Sequence, residues 1–331
     1  MRGKGKHMLI GLLTFLLVGG TFAGLGMAAG DYPAKTIKLI VPWAAGGGTD
    51  SLMRIVSKYA GDVLGQSVIV SNVKGASGTV GEREAKKAKP DGYTLFSAHQ
   101  SVSTTYYCGT ADINYWDFEP VALMTSTPSI VAAHRGTPWK TMKDLLNDPL
   151  AKGDKRGRAI VTFGATLCST SHFFPVWIEK ETKLKFRYVG YEGTAPRMAA
   201  LLGKHISLAE SNLAAKASYG ERIRFLAIAT EKRHPKIPDT PTLKELGIPV
   251  FFALARGWWA PKGTPLDRIK KVESALQKVA KNREFIKRIN AMGTDVVFKG
   301  RKEYIKYIKE TDKKMDELAT YVGLNVRKKK K

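Results

Sequence analysis

An apolar strand-like run that ends in three glycines constrains this chain more than any other stretch. Residues 37–42 read IKLIVP, a β-branched apolar run of the kind buried in a parallel sheet. WAAGGGTD follows, and then Leu52, Ile55, Val56, Tyr59 and Val63 fall at helical spacing. Thr49 or Asp50 is placed to cap that helix, and Gly65 to end it. SVIVSN (67–72), the glycine-rich KGASGTVG, the short helix EREAKKAK closed by KPDGY, and the strand YTLFSA continue the alternation. Strand, loop, helix and strand in that order predict a doubly wound α/β sheet, in which ligands lie beyond the carboxyl ends of the strands.

The pattern resumes later in the chain. AIVTFG, KFRYVG, HISLAE and IRFLAIAT read as strands, with helices starting near Ser171, Ala195 and Asn212. PVALMTSTPSIVAAHRG, between the two sets, reads as a long extended crossover, and Ile248–Pro261 as a second one. Two amphipathic helices, about 265–282 and 301–321, finish the chain with the strand TDVVF between them. A domain inserted between two crossovers accounts for this layout, and 331 residues suffice for two cores. The expected lobe 1 is 31–128 plus 252–324, lobe 2 is 129–251, and 325–331 is a basic disordered tail.

The N-terminus is built for export. Arg2, Lys4 and Lys6 precede the apolar MLIGLLTFLLVGGTFAGL, and GMAAG supplies small residues for cleavage near Ala28. A secretory signal over 1–30 is the expectation, with the mature protein in the periplasm. An uncleaved anchor is the competing reading, disfavoured by the glycines in the apolar run and by its small-residue exit. The formal net charge is +25, but no basic stretch is interleaved with aromatics, so a nucleic-acid partner is not expected. A bridge between Cys108 and Cys168 is permitted in an exported compartment, but two cysteines do not make a disulfide framework, and both are expected to be free and at least partly buried.

A glycine-rich turn opening a helix exposes backbone N–H groups at the helix's positive end, which suits phosphate or carboxylate. A phosphate loop would need Lys and then Ser or Thr after its last glycine, whereas Thr49 and Asp50 stand here. GASGTVG lacks the dinucleotide spacing, and G-x-S-x-G and H-E-x-x-H are absent. The six histidines show no metal-ligand spacing, so neither cofactor nor metal is expected and nothing demands an enzyme.

Taken in order, the export signal, YPAKTIKLIVPWAAGGGTDS, GASGTVG, KPDGYTL and APKGTP resemble the substrate-binding proteins of tripartite tricarboxylate transporters, the Bug family. The resemblance runs from about Tyr32 to about Leu324. It implies a type II periplasmic-binding-protein fold, with two α/β lobes around mostly parallel sheets, closing over a carboxylated ligand. It also implies delivery to a membrane permease; the receptor itself is expected to be a monomer.

The same resemblance assigns the site. Trp43, Ala44, Gly46, Gly47, Gly48, Thr49 and Asp50 match the first carboxylate loop, where Trp43 is either an apolar wall or packing beneath the loop. Ser169, Thr170 and Ser171 match the second, as ligand donors, helix caps or both; relatives usually have glycine where this chain has Cys168. Tyr191, Thr194, Ser211 and Asn212 match two further loops. Many relatives carry Asp at the position of Ser211 to receive an ammonium, so the expected ligand is a di- or tricarboxylate or an aromatic carboxylate. Glu210 is a possible substitute for that missing charge. His99, Ser101 and Ser103 follow the third strand, and His99 is equally readable as structural. Arg256 follows the second crossover, to pair with a distal carboxylate or to steady the hinge. A sensor for a signalling partner and an exported enzyme acting on a carboxylate are the alternatives.

Overall fold

The computed structural model describes residues 32–328; the expected export signal over 1–30, with its expected cleavage near Ala28, and Lys329–Lys331 lie outside the described residues. Among the described residues no helix is long and apolar enough to cross a membrane.

The first sheet contains β1 (Ile37–Val41), β2 (Val68–Asn72), β3 (Thr94–Ala98), β4 (Phe118–Pro128), β10 (Ala253–Pro261) and β11 (Asp295–Lys299). Their spatial order is β11-β4-β10-β3-β1-β2. β1 pairs parallel with β2 and β3, because α1 (Gly48–Leu64) and α2 (Thr79–Lys87) carry the chain back between strands. β10 returns from the other lobe and inserts antiparallel between β3 and β4, with β11 antiparallel on the far side of β4.

The second sheet contains β5 (Ile130–His134), β6 (Thr162–Ala165), β7 (Arg187–Gly190), β8 (Leu208–Ser211) and β9 (Ile223–Ile228), in the order β7-β6-β8-β5-β9. β6 is parallel to β7 and β8, with α5 (Thr170–Glu181) and α6 (Thr194–Leu202) as connections. Two short helices, α4 (Met142–Asn147) and α7 (Ala214–Tyr219), follow β5 and β8 in the chain. β5 runs antiparallel to β8 and β9. The extended crossovers are therefore strands themselves, and each sheet is mixed.

Only Ser129 separates β4 from β5. Its N–H donates to the Phe252 carbonyl (3.0 Å) and its carbonyl accepts the Ala229 N–H (2.9 Å), so the two crossovers run side by side as one ribbon.

Alternation along each strand divides the lobe 1 core between two faces. Leu39, Val41 and Trp258 pack against α1, α8 (Leu266–Ala280) and α9 (Arg283–Ala291). Ile40, Phe96 and Trp259 face α2, α3 (Ser101–Tyr107) and α10 (Arg301–Tyr321). α10 serves both lobes: Tyr304 and Ile308 are buried in lobe 1, whereas Met315 and Leu318 join Phe163, Phe173, Phe174 and Leu208 in the main core of lobe 2.

Two expectations are corrected. The start of the tail is docked rather than disordered: Asn325 is buried, the Val326 N–H donates to the Tyr107 carbonyl (3.0 Å), and Arg327 lies over the Tyr106 ring. Cys108 and Cys168, both half-buried, are not free but joined to each other in a disulfide with a Cα–Cα distance of 6.0 Å. Their separation of 60 positions hid a proximity that exists only once the lobes meet.

Candidate ligand site

The first loop leaves β1 and opens α1 without a side-chain cap. Gly47 is the N-cap, so neither Thr49 nor Asp50 caps the helix as expected. Both lie within the first turn. Asp50 folds back instead: its carboxylate accepts the Gly46 N–H (2.8 Å), Arg54 Nε (3.0 Å) and Asn72 Nδ2 (2.8 Å). Burial alone would raise this carboxyl, but the hydrogen bonds from Arg54, Gly46 and Asn72 hold it below its usual range. Asn72 also donates to the Trp43 carbonyl (3.0 Å), which closes the loop from below. Ala44, Gly46, Gly47 and Gly48 are left exposed at the helix N-terminus. Gly46 sits at φ +77, a conformation glycine adopts without strain.

Four expected residues meet beside this loop. The Trp43 ring, half-buried, stacks on His99 with centroids 4.2 Å apart and planes 14° from parallel. His99 Nδ1 accepts the Ser101 N–H (3.3 Å), which orients the ring. Burial, together with the positive charge of Arg256, pushes the imidazole well below its ordinary range, so it is neutral.

Arg256, buried in β10, donates through Nε to Thr49 Oγ1 (2.8 Å) and through Nη1 to Thr127 Oγ1 (2.7 Å). Burial lowers its pKa to about 10, which leaves it charged at neutral pH. Among the described residues no carboxylate pairs with it within ion-pair distance. A buried cation is costly unless a counter-charge or several acceptors accompany it. Because Thr49 Oγ1 accepts from Arg256, its own proton is directed elsewhere.

In lobe 2 the expected hydroxyls are largely engaged within their loop. Ser169 is the N-cap of α5; its Oγ accepts the Ser171 N–H (3.3 Å) and donates to the Thr166 carbonyl (2.8 Å). Ser171 Oγ accepts the Thr166 N–H (2.9 Å), while Thr170 is buried beside them. Thr166 Oγ1 accepts the Gly193 N–H (3.0 Å), which fastens the loop carrying Tyr191 and Thr194 to this one. Thr194 is exposed, Tyr191 half-buried. Asn212 accepts the Ala214 N–H through Oδ1 (3.1 Å). The Ser101 and Ser211 hydroxyls are buried with no partner among the described residues. Ser103 turns away to Asp312 of α10.

The reading of residue types missed Thr127, Thr166 and Arg197. Arg197, on α6, forms a buried pair with Glu210 (2.6 Å), and Glu210 also accepts from Ser129 Oγ in the hinge (3.2 Å). Burial pushes the Glu210 carboxyl up, opposed by Arg197. A lone arginine in the otherwise apolar TAPRMAALL was the available signal. Among the described residues no group of three His, Cys, Asp or Glu side chains is arranged to hold a metal.

Two α/β lobes joined by a paired-strand ribbon, with glycine- and hydroxyl-rich strand exits, define a periplasmic-binding-protein architecture. Residues 52–324 match the family model described as tripartite tricarboxylate transporter family receptor, and the chain belongs to that family. These are solute-binding receptors, not enzymes. A protein of Agrobacterium vitis from the TAR-I ttuE-ttuC' intergenic region is 32% identical over 298 residues, covering 88% of this chain and 84% of its own. The periplasmic binding protein BugD has a similar structure at 27% identity (TM-score 0.77; 89% of this chain, 99% of that one). So does R. palustris Rpa4515, solved with adipate, at 25% identity (TM-score 0.79; 88% and 99%).

Proposed function

We propose that this protein is a periplasmic receptor that clasps an organic carboxylate between its lobes and hands it to the permease of a tripartite tricarboxylate transporter. The buried Arg256 carries the reading: among the described residues no carboxylate bonds it directly, and the charge of Glu210, itself paired with Arg197, only partly offsets the burial of the guanidinium. Arg256 stands beneath the glycine loop, directs Thr49, and supplies a positive charge where the backbone N–H groups of α1 already favour an anion. Hydrogen bonds to a charged group contribute about 1.5–3 kcal/mol each. Four or five of them, less the cost of closure, reach the roughly 8 kcal/mol of micromolar binding. The net charge of +25 speeds the approach of an anion.

The ligand class follows from what lobe 2 offers. Ser211 brings no charge, and the neighbouring Glu210 is held by Arg197 and Ser129, so neither position offers an ammonium a free carboxylate. The ligand is accordingly a di- or tricarboxylate, or an aromatic carboxylate, rather than an amino acid. The related Rpa4515 with adipate agrees with a dicarboxylate.

Calorimetry against succinate, adipate, citrate, benzoate, glutamate and aspartate tests this. Binding of one of the first four, weakened roughly tenfold to a hundredfold in Arg256→Gln by loss of one charged contact, is expected. Tight binding of glutamate or aspartate, with no response to the others, would refute the class. Unchanged affinity in a folded Arg256→Gln would refute the role of the guanidinium.

A further inference from the structure

The disulfide crosses from one lobe to the other. Cys108 follows α3 of lobe 1, a helix fixed to α10 through Ser103 and Tyr107, whose hydroxyls both donate to Asp312. Cys168 lies in the β6–α5 loop of lobe 2, immediately before Ser169, Thr170 and Ser171. A hydrogen bond from Thr104 Oγ1 to the Cys168 carbonyl (2.8 Å) runs beside the bridge. Cys168 holds φ +58, so a side chain that can reach α3 occupies a backbone conformation that would suit glycine.

The position of this link relative to the hinge determines what it does. The ribbon at Ser129 and Phe252 enters lobe 2 at the start of β5, where Ile130 stands opposite Ser211 of β8. β6 is parallel to β8, with Gly164 opposite Ala209, so the exit of β6 toward Cys168 lies on that same edge of the sheet. β6 is two strands from β5, about 10 Å at ordinary strand spacing. The ribbon is not the only other link, because α10 is buried in lobe 1 through Tyr304 and Ile308 and in lobe 2 through Met315 and Leu318, and Lys180 of α5 pairs with its Glu317 (2.5 Å). The bridge ties α3 to the β6–α5 loop on that same side, off the line of the ribbon, so what it leaves is rotation about the line from the ribbon to the bridge and α10.

We infer that the Cys108–Cys168 bridge is a positioning tether for ligand capture. It fixes the second ligand loop against α3 and restricts the lobes to one swing, about the edge of the lobe 2 sheet from β5 to β6, with twist suppressed. The serine and threonine donors after Cys168 thereby keep their place relative to the lobe 1 loop while the lobes move. The inference concerns motion of this fold and stands apart from the choice of ligand.

Single-molecule energy transfer between keto-amino-acid labels at Lys58 on α1 and Lys183 after α5 reads the motion without disturbing thiol chemistry. Ligand-free protein is compared with and without a phosphine reductant, and with Cys108→Ser and Cys168→Gly. The glycine variant removes the tether while relieving the left-handed backbone, so a tether and a merely local strain give different answers. The expected result is one narrow population in the oxidised protein and an added, longer-distance population in all three untethered forms, with faster amide exchange over 165–171. Distributions that coincide with the bridge intact and broken would overturn the inference. So would two titratable thiols in native protein, or a new population in Cys108→Ser that Cys168→Gly lacks. No ligand is required, so the tether stands or falls whether or not the carboxylate reading holds.

Discussion

Glu82, replaced by glutamine, should change how stability depends on pH more than it changes the fold. The residue lies in the first turn of α2, fully buried, and neither carboxyl oxygen has a hydrogen-bond partner among the described residues. Burial pushes its pKa from 4.5 up to about 8, opposed only by Arg83. In the unfolded chain the carboxyl ionises near 4.5, whereas in the folded protein it keeps its proton until about pH 8. Its contribution to stability is thus fully present below 4.5 and is lost as pH rises through 8. The loss accrues at about 1.4 kcal/mol per pH unit in the middle of that window and more slowly near each pKa, which totals between about 3 and about 4 kcal/mol from about pH 5 to about pH 8. For a chain of this length that corresponds to about 5 °C in melting temperature. Glutamine occupies a similar volume and does not titrate, and the other titrating groups act equally in both proteins. Melting curves of wild type and Glu82→Gln should therefore diverge steadily from about pH 5 to about pH 8, the variant gaining. Parallel curves across that range would refute the assignment of a buried, protonated carboxyl.

Two further outcomes follow from particular contacts. Gly81→Ala would place a Cβ 2.7 Å from Pro42 Cβ and 2.8 Å from the Val73 carbonyl, so a loss of about 1–3 kcal/mol is expected in urea unfolding. Ser169→Ala removes the N-cap of α5 and should cost about 1 kcal/mol in the same assay, without ligand. If ligand affinity then falls no further than that of Thr170→Val, Ser169 acts through the loop's shape.

Much of the fold was legible because it is local. Runs such as IKLIVP and IRFLAIAT carry strand character in consecutive residues, and Gly65 adopts the left-handed conformation that ends α1. What escaped the sequence is what depends on distant partners. Ile248–Pro261 read as an extended connection, yet nothing in its residues says that β10 inserts between β3 and β4. Thr49 and Arg256 touch across 207 positions, and Cys108 finds Cys168 across 60, and no spacing rule announces either meeting. Asp50 was legible as a helix-start residue, but its role was not: with glycine at the N-cap, its carboxylate turned back to the preceding N–H. The candidate site divides in the same way. The glycine loop was visible as a motif, whereas the charge beneath it became visible only in three dimensions.

The last long helix has a consequence for how the chain holds together. Tyr304 and Ile308 complete one core, and Met315 and Leu318, a few turns on, complete the other. One face of the lobe 1 core and the main core of lobe 2 stay incomplete until residues 301–321 dock. A substitution at Met315 or Leu318 should therefore loosen both halves together, because the helix that carries it is shared between them.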